Sequence, residues 1–198
     1  MAATTPHTHT ITRNITTLTH PYDLILSRIH ASLGNTTLLP PLQSLAKTST
    51  PLEPYIASVV GPHDFIIFQK YDWHPLLASP GQNSPGLKAC RIIFGNPLVA
   101  KTMVREDVKA GLFAPVSMLV QEIENGGGVS VMWDLPSSLI NWAGTVKGEK
   151  GEALEKASKV LDGKMKRFIE DLGTAEEEWE GVIREWKENG GGKGREEL

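Results

Sequence analysis

The chain has 198 residues, 20 of them Lys or Arg and 23 Asp or Glu, for a formal net charge of −3. That length suits one domain with appendages, whose core needs no disulfide or metal to hold it. The mildly acidic balance argues against a dedicated nucleic-acid surface, and no apolar run approaches the ~20 residues that span a bilayer.

Residues 1–8 read as a disordered lead-in. Over residues 9–18 polar and apolar residues alternate, with Ile11 and Ile15 on one face, which predicts a half-buried strand. Pro21 and Asp23 then open a helix in which Tyr22, Ile25, Ile29 and Leu33 recur at helical spacing until Gly34 stops it. Residues 35–49 read as a long surface loop. Thr50, Pro51 and Glu53 give a helix-start signal, with Leu52, Ile56 and Val59 inward and Gly61-Pro62 as the stop. Residues 64–71 are apolar at their centre on both faces, so they are expected as an interior strand covered on both sides, or on one side at its ends. The run ends at Asp72-Trp73-His74-Pro75, where proline halts ladder pairing, and 77–86 reads as loop.

Residues 87–94 predict another strand. In Gly95-Asn96-Pro97 the glycine is expected to take a backbone angle other residues resist. The asparagine caps and the proline begins a helix to about residue 106, with Leu98 and Met103 inward and Thr102 as a further inward candidate. Residues 114–124 and 129–134 flank Asn125-Gly126-Gly127-Gly128, a hairpin signal. After a short turn or helix at Pro136, a long helix is predicted over 152–172. Its Leu154, Ala157, Leu161, Met165, Phe168 and Leu172 form one apolar face. A final helix over 175–187 carries Trp179, Val182, Ile183 and Trp186 on one side, and 189–198 reads as a disordered tail.

The order of elements gives a single α+β domain over residues 9–172, with an appended amphipathic helix over 173–188. Five short stretches carry a resemblance. They are Gly61-Pro62-His63-Asp64-Phe65, Tyr71-Asp72-Trp73-His74, Ile93-Phe94-Gly95-Asn96-Pro97-Leu98, Ala110-Gly111-Leu112-Phe113-Ala114-Pro115 and Pro136-Ser137-Ser138-Leu139. Together they make the chain, from Ile11 to Leu172, closely resemble the domain of unknown function 302 in its fungal form. The resemblance implies a β-α-β4-α arrangement like the TATA-binding-protein-like fold, with a long helix packed on a curved antiparallel sheet. It implies no DNA binding, since one fold hosts many functions, and the family's activity is not established. The family commonly has an Asp-His pair after the second strand, whereas here Trp73 stands between Asp72 and His74.

Asp72 and His74 are two apart at a strand end, a spacing that can point both side chains to one face. An Asp orienting a His is the pairing used in general-base catalysis; the plainer reading is a turn cap beside a packed histidine. Asn96 opens a helix directly after a strand, where an anion is attracted, although every helix needs such a cap. Cys90, the one cysteine, cannot form an internal disulfide and reads as a small core residue. With no apolar signal segment at the start, it points to the reducing cytoplasm. No metal-ligand cluster or dinucleotide fingerprint occurs, and no cofactor is named by the sequence.

Two functions are therefore weighed. The first is a ligand-binding or interaction domain with an apolar groove between sheet and long helix, using Asn96, Arg91 and Trp73 as binding residues. The second is an enzyme with His74 as acid or base, oriented by Asp72, in which Arg91 or Asn96 holds a small anionic substrate. Expected partners are a small molecule and a second copy of the chain, met through a sheet edge or the helix bearing Trp179 and Trp186.

Overall fold

The computed structural model describes residues 2–35, 52–77, 87–141 and 146–191. Residues 36–49 and 78–86 of the loops expected over 35–49 and 77–86, the start signal at Thr50 and Pro51, and tail residues 192–198 lie outside the described residues.

In chain order the elements are β1 (Arg13–Leu18), α1 (Tyr22–Ser32), β2 (Gly34–Asn35), α2 (Leu52–Val59), β3 (Ile66–Asp72) and α3 (His74–Leu77). There follow β4 (Ala89–Gly95), α4 (Pro97–Val104), β5 (Val116–Glu122), β6 (Val129–Asp134), α5 (Pro136–Ile140), α6 (Glu149–Asp171) and α7 (Glu176–Glu188). Five antiparallel strands in the order β1-β6-β5-β4-β3 form a curved sheet, and the two-residue β2 adds to β3 in parallel. This is the expected α+β domain with a long helix near its C-terminus.

Alternation explains which face is buried. Cys90, Ile92 and Phe94 of β4, Met118 and Val120 of β5, and Val129 and Val131 of β6 all point to the core. There they meet Ile25 and Ile29 of α1 and Leu161, Met165 and Phe168 of α6. Each such side chain contributes roughly 1.5–3 kcal/mol by leaving water. Phe168 anchors the centre, with ring centroids 5.5 Å from Phe94 and 6.0 Å from Phe65. Between β5 and β6, Asn125, Gly126 and Gly128 take positive φ, so the Asn-Gly signal does make the hairpin.

Several expectations are corrected. β1 begins at Arg13, and its register with β6 pairs Ile15 with Met132 on the open face, leaving Ile15 65% exposed. Leu18, not Ile11 or Ile15, carries the strand into the core, because only its face meets buried Val129. β3 lies between β4 and the two-residue β2 and becomes exposed toward Asp72, so its cover is one-sided at that end, the second of the two expected arrangements. Gly34 is a glycine for close approach. A Cβ there would lie 1.8 Å from the Val59 carbonyl oxygen, and one on Gly61 would lie 1.9 Å from that of Ser32. The ends of α1 and α2 thus touch backbone to backbone, and the amides of Gly34 and Gly61 both donate to the Phe65 carbonyl, at 2.8 and 2.9 Å.

The terminal helix folds back. Arg28 of α1, buried, donates to the carbonyls of Leu172 (2.9 Å) and Thr174 (2.7 Å) and pairs with Glu176 at 2.7 Å. Its guanidinium satisfies carbonyls at the C-terminal end of α6, where a cation also suits the helix dipole. It also lies 5.4 Å from the centre of the Trp179 ring. Trp179 is only 6% exposed and joins the core, so an interface between copies of the chain built on Trp179 would have to open this contact first. Trp186 is half-buried, and a Cβ at Gly191 would strike its indole. No described helix is long and apolar enough to cross a membrane.

Candidate functional site

Three family-like stretches meet at one end of the β3–β4 ribbon. The turn 61–65 puts Asp64 at φ 60, a left-handed angle that short polar side chains tolerate. The Asp64 carbonyl accepts from Asn96 Nδ2 at 2.9 Å, while Asn96 Oδ1 accepts from the Leu98 amide at 2.8 Å. Asn96 is therefore the N-cap of α4 and a strut to the turn, with both ends of its amide in use. An ion pair and a hydrogen bond tie the same turn to α6: Asp64 with Lys164, and His63 Nε2 donating to Asp171 Oδ2 at 2.9 Å.

Beside this strut lies a cleft of about 280 Å³ between the strand ends, α4 and α6. Phe68, Met103, Pro115 and Leu161 form its walls, with Gly95 and Asn96 at the strand-to-helix junction. Phe68 sits where the β3–β4 register shifts, between Ile67 and Gln69. Such a shift re-aims side chains at a sheet margin. Gly95 does not take a left-handed angle, contrary to expectation. A Cβ there would lie 3.4 Å from Pro115 Cβ and 3.6 Å from Phe68 Cε2, which are ordinary contact distances. Asn96 is the one polar side chain in the lining among the described residues, and it is already satisfied. The walls are apolar, and among the described residues the lining supplies no acid, base or nucleophile.

The other expected site residues lie elsewhere. Asp72 pairs in register with Cys90, whereas Arg91 pairs with Tyr71 on the opposite face of the sheet and donates to Ser117 Oγ at 3.3 Å. Asp72 Oδ1 accepts from the His74 backbone amide at 3.1 Å, which is a turn cap on α3. His74 Nδ1 is buried without a partner among the described residues. Trp73 is 39% exposed, and its amide donates to the Ala89 carbonyl at 2.9 Å. Asn96 stands at the far end of the ribbon, six strand steps or about 20 Å away. The structure does not bring Asp72, His74, Arg91 and Asn96 together. The Cys90 thiol is buried and its pKa is pushed up, chiefly by that burial, so it makes a poor nucleophile. Among the described residues no group of three His, Cys, Asp or Glu is placed to hold a metal.

Phe68, Met103 and Leu161 were missed as site residues because each reads as core from its spacing alone. The one available signal was the clustering of family-like stretches around Gly95 and Pro115.

Comparison with known proteins agrees with this layout. A family model, Domain of unknown function DUF302, matches residues 53–172, more than half of the chain. That match begins on α2 and takes in β3 to α6, leaving β1, α1 and α7 outside. The crystal structure of an uncharacterized conserved protein DUF302 from Bacillus stearothermophilus is similar with a TM-score of 0.52. It is 13% identical and covers 82% of this chain and 98% of that one, a likeness of fold. No curated protein matches the chain.

Proposed function

We propose that this chain, which belongs to the DUF302 family, is a binding protein for a small, largely apolar molecule. The observation that carries the reading is the 280 Å³ cleft, walled by apolar side chains and framed by the junction Gly95-Asn96-Pro97. Its volume falls near the lower end of ligand sites, which run from about 300 to 1,000 Å³, so the guest is small. Asn96 is spent on the fold, and its role is to hold the mouth of the cleft in shape. Arg91 and Trp73, on the other face of the sheet or at its margin, take no part. The acid–base alternative built on His74 and Asp72 is disfavoured, because Asp72 is engaged by backbone and the anion-holding candidates lie elsewhere.

The test uses the neutral fluorophore N-phenyl-1-naphthylamine on the full chain, and on Ala100→Phe, which fills the cleft from α4. The expected outcome is saturable one-to-one binding at about micromolar Kd, weakened at least about tenfold by the substitution. Absence of saturation, or binding indifferent to Ala100→Phe, would sink the reading. A thermal-shift screen of apolar metabolites and acyl chains then narrows the natural guest.

A further inference from the structure

On the other side of the Asp64 turn, a hollow of about 370 Å³ lies between residues 62–64 and the exposed side of α6. Its charges are unevenly matched. Both acids near it are taken, Asp64 by Lys164 and Asp171 by His63. Arg167, which also lines the hollow and is exposed, makes no ion pair or hydrogen bond among the described residues. The surplus charge is positive. A guanidinium is the group best suited to a planar or tetrahedral oxyanion, because its forked donors can meet two oxygens at once.

Gly163 supplies a second, independent observation. It stands inside α6, where a glycine costs roughly 1 kcal/mol relative to alanine. No positive φ requires it, and a Cβ there would meet nothing within 4 Å. Neither backbone strain nor packing against neighbours explains the residue. What its missing side chain does is deepen the hollow between Lys164 and Arg167, and it does so at the expense of helix stability. The opposite wall is equally built. His63 is 5% exposed, fixed by its bond to Asp171 and by its ring 5.2 Å from that of Phe168.

We infer that this hollow is a binding site for the oxyanion group, carboxylate or phosphate, of a small molecule, with Arg167 as its main charge and Gly163 as its floor. Lys164 contributes from its pair with Asp64, and the fixed His63 imidazole forms the back wall. The site is independent of the apolar cleft, so either assignment stands without the other.

The experiment titrates the full chain with inorganic phosphate, and separately with acetate, at constant ionic strength held with chloride. Binding is read from the His63 imidazole resonances and from calorimetry. Saturable binding is expected for at least one of the two anions, and which of them binds more tightly separates phosphate from carboxylate ligands. Gly163→Ala is expected to raise the unfolding midpoint while weakening binding at least about tenfold. Arg167→Gln is expected to weaken binding similarly without changing stability, and Arg184→Gln on α7 to leave binding unchanged. The proposal is overturned if neither anion saturates, if Arg184→Gln weakens binding as much as Arg167→Gln, or if Gly163→Ala binds as well as the parent chain.

Discussion

Two histidine–aspartate pairs stand at opposite ends of the β3–β4 ribbon, and they are made in opposite ways. At one end Asp72 and His74 are two residues apart, and the carboxylate is engaged by the backbone amide of His74. At the other, His63 and Asp171 are 108 residues apart, and the two side chains bond each other directly at 2.9 Å. The first pair needs only a local turn, and Asp72 remains exposed. The second exists only when α6 lies across the 61–65 turn, and His63 is buried by that packing. Closeness in sequence produced a cap; closeness in the fold produced a fixed imidazole at the rim of a hollow.

The comparison can be broken by substitution at matched positions. Phe168→Ala removes the ring beneath His63 and should cost about 3–5 kcal/mol in denaturant unfolding. Trp73→Ala, next to the other histidine, should cost less than that, because the indole keeps 39% of its surface in water whereas Phe168 keeps none. Equal losses would mean that the Asp72 corner is as tightly packed as the Phe168 centre. The histidines themselves come next. His63→Ala should cost about 2 kcal/mol, since it leaves Asp171 without its donor, and His74→Ala about 0.5 kcal/mol. A reversal in that order would overturn the assignment of the structural pair.

The smallest contrast lies between the two caps. Asn96→Ala loses both the α4 cap and the strut to Asp64, for about 1–2 kcal/mol. Asp72→Ala loses one exposed bond to a four-residue helix, for at most about 0.5 kcal/mol. Comparing melting curves of the two variants sharpens the point: the Asn96 change should also lower binding of the apolar probe, whereas the Asp72 change should not.

Local signals in the chain were reliable wherever one residue does a job for its neighbours. Asn96 capping α4, Asn125-Gly126 turning the hairpin and the three-and-four spacing of Leu154, Leu161, Met165 and Phe168 all follow from backbone chemistry and periodicity. Amphipathic spacing also made Trp179 a contact residue, but it could not say that Arg28 of the same chain would be what it contacts.

Facing and pairing needed the assembled fold. The same alternation in β1 admits Ile15 or Leu18 as the inward side, and register with β6 chose Leu18. Gly34 and Gly61 looked like helix-stopping glycines, yet each is explained by an approach from a distant segment. His63 stands in a family-like stretch, but nothing local joins it to Asp171, because a bond between side chains 108 residues apart has no periodicity to reveal it. Patterns of spacing encode what a residue's own turn or strand requires; cavities, long-range pairs and close backbone crossings arise from how finished elements pack, and so belong to the tertiary structure alone.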